Sequence, residues 1–427
     1  MRTCTYYARV ENYEVVNGNC TVTFDGIEEA YHLAIDREKP NFREVRSAHI
    51  ALNLQRKQLP PHIKSFKPEC WYKLIIAIDS NEKSYIDGRI FHNYKIRASQ
   101  KIQVTHLLEL KKRSKKSKEL SNIYQLKNIP GYADAITSKE NILKLLPTLN
   151  QNQDFWLRVV DVGQGSCNAI SLVDEPDGPG TELIAPQEIL YLAAGGGVVA
   201  NAGTYVHNDY YPIQGATVVL CHWDMDHWVS GEIKSEFEQT QWLVPEQKNL
   251  GISHIQFAQR LSEESRLHIW PKNLKRLDSS LIDIHKLPEN KDRNYSGLVC
   301  ITKSSMSSGK NAIYTGDAPF SRCKSFLSEY DISVIITPHH AGDMPFKAIP
   351  KAPDEHIVVS SFGMNNTFNH PFEGSKSRPF STQTHYLNKG WKNWQTTLCG
   401  DKYIYSGKIS DEKKFCQILN GMKVIEL

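Results

Sequence analysis

At 427 residues, with 51 Lys and Arg against 47 Asp and Glu, the chain is too long for one ordinary hydrophobic core. Its formal charge of +4 is too small to name a polyanionic partner on its own. No apolar run approaches the roughly 20 residues that span a bilayer, and residues 1–15 carry Arg2, Arg9, Glu11 and Glu14 among aromatics, unlike a signal peptide. Two globular domains in the cytoplasm, with no membrane contact, are therefore expected. The nine cysteines nowhere form a C-x-x-C pair, and several lie in apolar runs; they read as reduced thiols packed as small hydrophobes, not as metal ligands.

Residues 1–105 read as a β-rich domain. Tyr6 to Glu11, Cys20 to Phe24, Trp71 to Ile78 and Ser84 to Ile90 alternate or run apolar between turn signals such as Asn17-Gly18 and Asp87-Gly88. Phe42 to Arg56 carries helical spacing at Val45, His49, Leu52 and Leu54, between Pro40 and Pro60-Pro61, and is expected to be a helix. A small barrel or open sheet fits, an oligonucleotide-binding barrel being one option. Tyr6, Tyr7, Tyr72, Tyr85 and Tyr94 either stack on bases or pack as core residues. This domain is also where a protein partner or a second copy would dock.

A basic linker and helix follow over 106–150. Lys111, Lys112, Arg113, Lys115, Lys116 and Lys118 lie within eight positions, either as a phosphate-binding segment or as a solvated linker face. Ser138 to Leu146 is a helix stopped by Pro147.

Residues 151–427 hold the chemistry. Phe155 to Leu172 reads as two strands joined at a corner spaced by Gly163 and Gly165, with a polar hairpin tip at 174–180. Glu188 to Ala194 is a buried strand running into Gly195-Gly196-Gly197. Val218 to Cys221 drives a further strand into His222-Trp-Asp224-Met-Asp226-His227, two imidazoles and two carboxylates within six positions. Placed at a strand's C-terminal end, where α/β sheets present ligand sites, that set suits Zn²⁺, Mn²⁺ or Fe²⁺. Later strands deliver Tyr314-Thr-Gly-Asp317, Pro338-His339-His340-Ala-Gly342 and Asn366-Thr-Phe-Asn369-His370-Pro371.

In this order, these motifs resemble metallo-β-lactamase-fold hydrolases, above all the hydrolase domain of ComEC-type DNA-uptake proteins, over about residues 155–410. The resemblance implies an α+β chain: a four-layered αββα sandwich with a dinuclear site along one edge, preceded by the smaller β-rich domain. It implies two divalent ions, Zn²⁺ or Mn²⁺. His222 and Asp224 would hold one, Asp226 and His227 the other, with Asp317 bridging and one of His339 and His340, by preference His340, as a further ligand. Asp226, His339 and His370 would serve catalysis; Asn366 and the basic segment would bind substrate. Gly390 to Tyr405 would be the closing hairpin. The family usually carries Asp where this chain has Ala193-Ala194, which puts the support of the metal ligands in doubt. His254, His268 and His285 lie in the interval of the broader fold's remaining histidine, each also fitting a local polar context.

No serine nucleophile elbow or Cys/His nucleophile pattern is present, so hydrolysis by metal-activated water is the expected chemistry. A nuclease or phosphodiesterase acting on DNA or RNA is the first expectation, with genome defence or repair as its setting by analogy alone. A hydrolase of small phosphoesters or cyclic nucleotides is the second. A binding module that keeps the site without turnover is the third, and Ala193 speaks for it.

Overall fold

The computed structural model describes residues 2–16, 18–78, 86–92, 99–150, 153–172, 187–206, 209–303, 311–375, 377–406 and 424–425. Tyr85, Tyr94 and the hairpin tip at 174–180 lie outside them.

The N-terminal domain is a closed barrel in the order β1-β2-β3-β5-β6-β4, from β1 (Arg2–Val16), β2 (Asn19–Glu28), β3 (Ser47–Gln55), β4 (Trp71–Ile78), β5 (Ile86–His92) and β6 (Ser99–Glu109). Helix α1 (Glu29–Ala34) follows β2. Strand alternation builds the core, since Tyr6, Ala8 and Val10, Val22 and Phe24, and Tyr72, Leu74 and Ile76 all point inward. The helix expected over 42–56 is instead largely β3. Ala48, Ile50, Leu52 and Leu54 fill the barrel at a period of two, and the spacing of Val45, His49 and Leu52 mimicked a helical one by coincidence. The oligonucleotide-binding option also fails, because that fold has five strands and this barrel has six, all paired antiparallel. Tyr6, Tyr7 and Tyr72 are buried, so they are packing residues and not stacking platforms.

The basic stretch is no linker. After a turn at 111–113, Ser114 accepts the Ser117 N–H and caps α2 (Lys115–Ile123), whose Leu120 and Ile123 pack into the core. Short helices α3 (Tyr132–Ala135) and α4 (Lys139–Leu145) follow; Ser138 caps α4, which ends before Pro147 as its sequence indicates.

The rest forms two sheets packed face to face. The first has the order β12-β11-β10-β9-β8-β7-β20-β21, from β7 (Phe155–Val159), β8 (Cys167–Leu172), β9 (Glu188–Ala194), β10 (Pro212–Val219), β11 (Gln241–Val244), β12 (Leu267–Ile269), β20 (Lys402–Tyr405) and β21 (Val424–Ile425). The second runs β13 to β19 in sequence order, from β13 (Arg276–Asp278), β14 (Ile282–Leu287), β15 (Gly297–Thr302), β16 (Asn311–Tyr314), β17 (Ile332–Ile336), β18 (Ile357–Ser360) and β19 (Trp394–Thr396). Leu157, Leu190, Val219 and Leu243 of one meet Ile284, Cys300, Ile336 and Val359 of the other in a shared core. The outer face of the first sheet is covered by α5 (Ser230–Ile233), α6 (Ile252–Glu263) and the barrel. That of the second is covered by Phe320, Phe326, Trp391 and α7 (Thr382–Leu387). With both faces buried, strands such as β15 are apolar throughout instead of alternating. The closing hairpin is not one: β19 pairs with β18 and β20 with β7, so the chain crosses between sheets there.

The barrel is fastened to α6 by buried polar groups. Asp25 accepts from the Ser253 N–H at 2.8 Å and the Ser253 hydroxyl at 2.9 Å, supplying from another domain the N-terminal carboxylate that α6 lacks. Gly251 precedes it because a Cβ there would overlap the Asp25 carboxylate.

Candidate metal centre

Parallel pairing sets the site. β9, β10 and β11 run parallel in one sheet, and β16, β17, β18 and β19 in the other, so their C-terminal ends collect along one edge of the sandwich. β9 ends in the three glycines, β10 before His222, β16 before Asp317, β17 before His339 and β18 before the loop to His370. The glycines let the backbone of the ligand loop approach closely. Gly196 and Ser166 both donate to the Asp226 carbonyl, at 3.1 and 3.0 Å, and a Cβ on Gly195 would overlap that same oxygen.

Two groups of donors face each other across Asp317. Its Oδ2 lies 3.6 Å from His222 Nε2, which is 3.7 Å from Asp224 Oδ2. Its Oδ1 lies 3.0 Å from His227 Nε2 and 3.7 Å from His340 Nε2, with Asp226 3.8 Å and 3.2 Å from those two nitrogens. His222 Nε2, His227 Nε2, His340 Nε2 and Asp317 Oδ1 are buried without a hydrogen-bond partner. Four inward-facing polar atoms left unpaired cost too much to be accidental, and imidazole and carboxylate donors are what divalent cations take up. The charges agree. Burial disfavours protonated His227, yet Cys221 and Asp317 raise it to about 10: the pocket demands positive charge.

The far side of each ring decides its role. His340 Nδ1 sits 3.1 Å from the Ser361 carbonyl and can only donate to it, so Nε2 offers a lone pair. His227 Nδ1 meets the Tyr314 hydroxyl at 3.1 Å, and Cys221 Sγ lies 3.1 and 3.3 Å from the Nδ1 atoms of His222 and His227. Cys221 and Tyr314 thus stand behind the histidines. Ala193 itself is 0 % exposed, packed between the sheets at φ 64°, so a carboxylate there would be buried in apolar surroundings. A Cys221→Ala chain is expected to bind Zn²⁺ or Mn²⁺ about 10- to 100-fold more weakly, as read by competition with a chromophoric chelator.

His370 has the opposite tautomer. Gly363 N–H donates to Gln164 Oε1 at 3.4 Å, turning the amide NH₂ toward His370 Nδ1 at 2.8 Å, so Nε2 carries the hydrogen. Burial, then His340, lowers this imidazole to about 3, making it a neutral hydrogen-bond donor instead of a ligand. His339, with 14 % of its side chain exposed, places Nε2 3.9 Å from Asp317 Oδ2 at the mouth of the site.

Sequence reasoning missed three residues. Arg293 binds Asp224 Oδ1 through Nε and Glu11 Oε2 through Nη2 at 2.6 Å, and Glu11 in turn accepts from His254 Nε2 at 2.7 Å. Burial opposes ionisation of Asp224, but Arg293 and His222 outweigh it and hold the carboxyl well below the usual carboxylate range. Glu14 is the third: its Oε1 lies 3.7 Å from both His339 Nε2 and His370 Nε2. Burial raises its carboxyl to about 7 despite His339, with Asp343 and Asp317 adding to the shift. Glu11 and Glu14 belong to β1, so the barrel supplies one wall of the site. Carboxylates inside a strand rich in aromatic and β-branched residues were the available signal; Arg293 had none.

Several expected residues stand elsewhere. Asn366 does not face the site: its Nδ2 donates to the Gly363 and His370 carbonyls and its Oδ1 accepts from Phe368 and His370, so it shapes the loop that presents His370. His268 bonds Gln241 and His285 bonds Tyr330, away from the cluster, while His254 serves Glu11. Lys116 pairs with Glu119 at 3.0 Å and lies over the Tyr7 ring, seven residues along β1 from Glu14, or about 23 Å of strand. Lys111, Lys112, Arg113 and Lys115 are exposed beside it.

No family model matches the chain, and no curated protein matches it. Among solved structures, a "possible metal-dependent hydrolase" from Veillonella parvula DSM 2008 is similar over 55% of this chain and 93% of that chain, at 10% identity and a TM-score of 0.28. At that score nothing about this chain rests on the likeness. No helix among the described residues is long and apolar enough to cross a membrane.

Proposed function

We propose that this chain is a metal-dependent phosphodiesterase acting on nucleic acid, its sandwich a variant of the metallo-β-lactamase fold. One observation carries the reading: Asp317 turns one oxygen toward His222 and Asp224 and the other toward Asp226, His227 and His340, with the facing imidazole nitrogens unpaired. His222, Asp224 and Asp317 Oδ2 would hold one divalent ion; Asp226, His227, His340 and Asp317 Oδ1 would hold the other. Two such ions bring the pKa of a bound water near neutrality and offset charge on the phosphoryl oxygens. With two oxygens to one nitrogen, the first group suits Mn²⁺ better than an all-histidine set would.

The remaining work falls to the chain's own groups. His370 donates its Nε2–H to a phosphate oxygen, and Gln164 keeps that hydrogen in place. His339 Nε2, at the mouth and beside Glu14, passes a proton to the leaving oxygen. Arg293 neutralises the outer oxygen of Asp224, so the cluster is not overloaded with negative charge.

The test is metal content beside a substrate panel. Chain stripped with EDTA and reloaded with Mn²⁺ or Zn²⁺ is expected to hold two ions and to cleave plasmid or oligonucleotide. Asp226→Ala and His227→Ala chains should lose that activity. Metal-replete chain that cleaves cyclic nucleotides alone would shift the reading to small phosphoesters. Fewer than one ion per chain after loading would overturn it in favour of a binding module.

A further inference from the structure

One cavity lies outside the ligand cluster and leads to it. A groove of about 1100 Å³ lies between the outer face of β3, β5 and β6 and the sandwich segment Val199–Thr204. It shares Asn53 and Thr367 with a second hollow of about 570 Å³, which ends at Glu14 and Asn369. Glu14 is the residue that touches His339 and His370, so the groove opens onto the mouth of the site.

Strand register gives its course. Lys101 pairs with Arg89 and Arg89 with Ala51, a row along the groove two strand spacings wide, or about 10 Å. Beside it, Asn53, Thr21 and Glu14 form a second row. Arg89 and Lys101 are exposed at the far end, and among the described residues neither meets a carboxylate at ion-pair distance; Arg89 reaches the Ser99 hydroxyl at 3.3 Å. Asp87 is the carboxylate lining that end, and Gln103 Nε2 donates to it at 3.2 Å. The walls between mix Asn53, Ser99, Gln103 and Thr367, donors suited to phosphate and base edges, with Ala51, Phe91 and Val199, apolar surface on which bases can lie.

We infer that this groove is the path of a single-stranded polynucleotide, its phosphates on Arg89 and Lys101 and its backbone turning in at Glu14 toward His370. The inference rests on the phosphodiesterase reading of the metal centre and names the substrate class for it. A single strand is favoured because the ligands are recessed, Asp317 being 2 % exposed and His340 4 %. A stacked duplex cannot bend one phosphate into such a recess, whereas a single strand follows a groove readily.

Binding of a fluorescent 12-nucleotide single strand, followed by anisotropy on the full chain in EDTA, tests this without turnover. The Arg89→Glu/Lys101→Glu chain is expected to bind at least about tenfold more weakly, with a salt dependence flattened by about 1.4 in log–log slope for two lost phosphate contacts. Arg89→Lys should bind like the unaltered chain. Unchanged binding in the double variant would overturn the path. So would a loss confined to Lys111→Glu/Lys112→Glu, or tighter binding of a duplex of the same sequence. Because no hydrolysis is read, an inactive but strand-binding chain would count against the phosphodiesterase reading and leave the groove standing.

Discussion

Metal-loaded Asp317→Ala chain is expected to lose about a thousandfold or more in phosphodiester hydrolysis and to retain at most one ion. The Asp317 oxygens each face a separate donor group, at 3.6 Å on one side and 3.0 Å on the other. Removing them takes one donor oxygen from each group. Lost charge stabilisation of several kcal/mol at a two-ion centre corresponds to at least three powers of ten in rate. Elemental analysis and steady-state rates on the same preparation check it. Two ions with an unchanged rate would mean that Asp317 does not bridge.

The second large effect is on stability. Arg293→Met should destabilise the metal-free chain by about 3–5 kcal/mol, since it leaves two buried carboxylates, Asp224 and Glu11, without their cation. Urea unfolding measures it. Adding Asp224→Asn to Arg293→Met should recover part of the loss, because the orphaned charge is then gone. A loss below about 1 kcal/mol would show that water already reaches these groups and that Arg293 does not tie barrel to site. Metal should raise the midpoint of the unaltered chain by binding only the folded form.

Much of the C-terminal domain was legible because its information is local. A run of β-branched and aliphatic residues that ends abruptly in His, Asp or Gly announces a buried strand and its C-terminal edge. The segments ending at His222, Asp317, His339 and the loop to His370 all have that form. The barrel's third strand was misread because the pattern at Val45, His49 and Leu52 satisfies one period and that at Ala48, Ile50, Leu52 and Leu54 another. Only closure of the barrel, in which β3 pairs with β2 on one side and β5 on the other, selects the second.

Roles within the site were beyond the sequence for a different reason. Whether a histidine offers a lone pair or a hydrogen depends on what its other nitrogen meets, and Ser361 and Gln164 come from distant segments. Asn366 reads as a substrate-binding residue by its place in a motif, yet its side-chain hydrogen bonds are spent on its own loop. The sequence by itself determined the strand ends and the chemical kinds of group they carry, because both follow from neighbours along the chain. Only the tertiary structure decided that β1 of the barrel completes the site with Glu11 and Glu14, that Cys221 and Tyr314 back the histidines, and that Arg293 neutralises Asp224. Those contacts join residues far apart in the chain, and burial, not spacing, makes each of them obligatory.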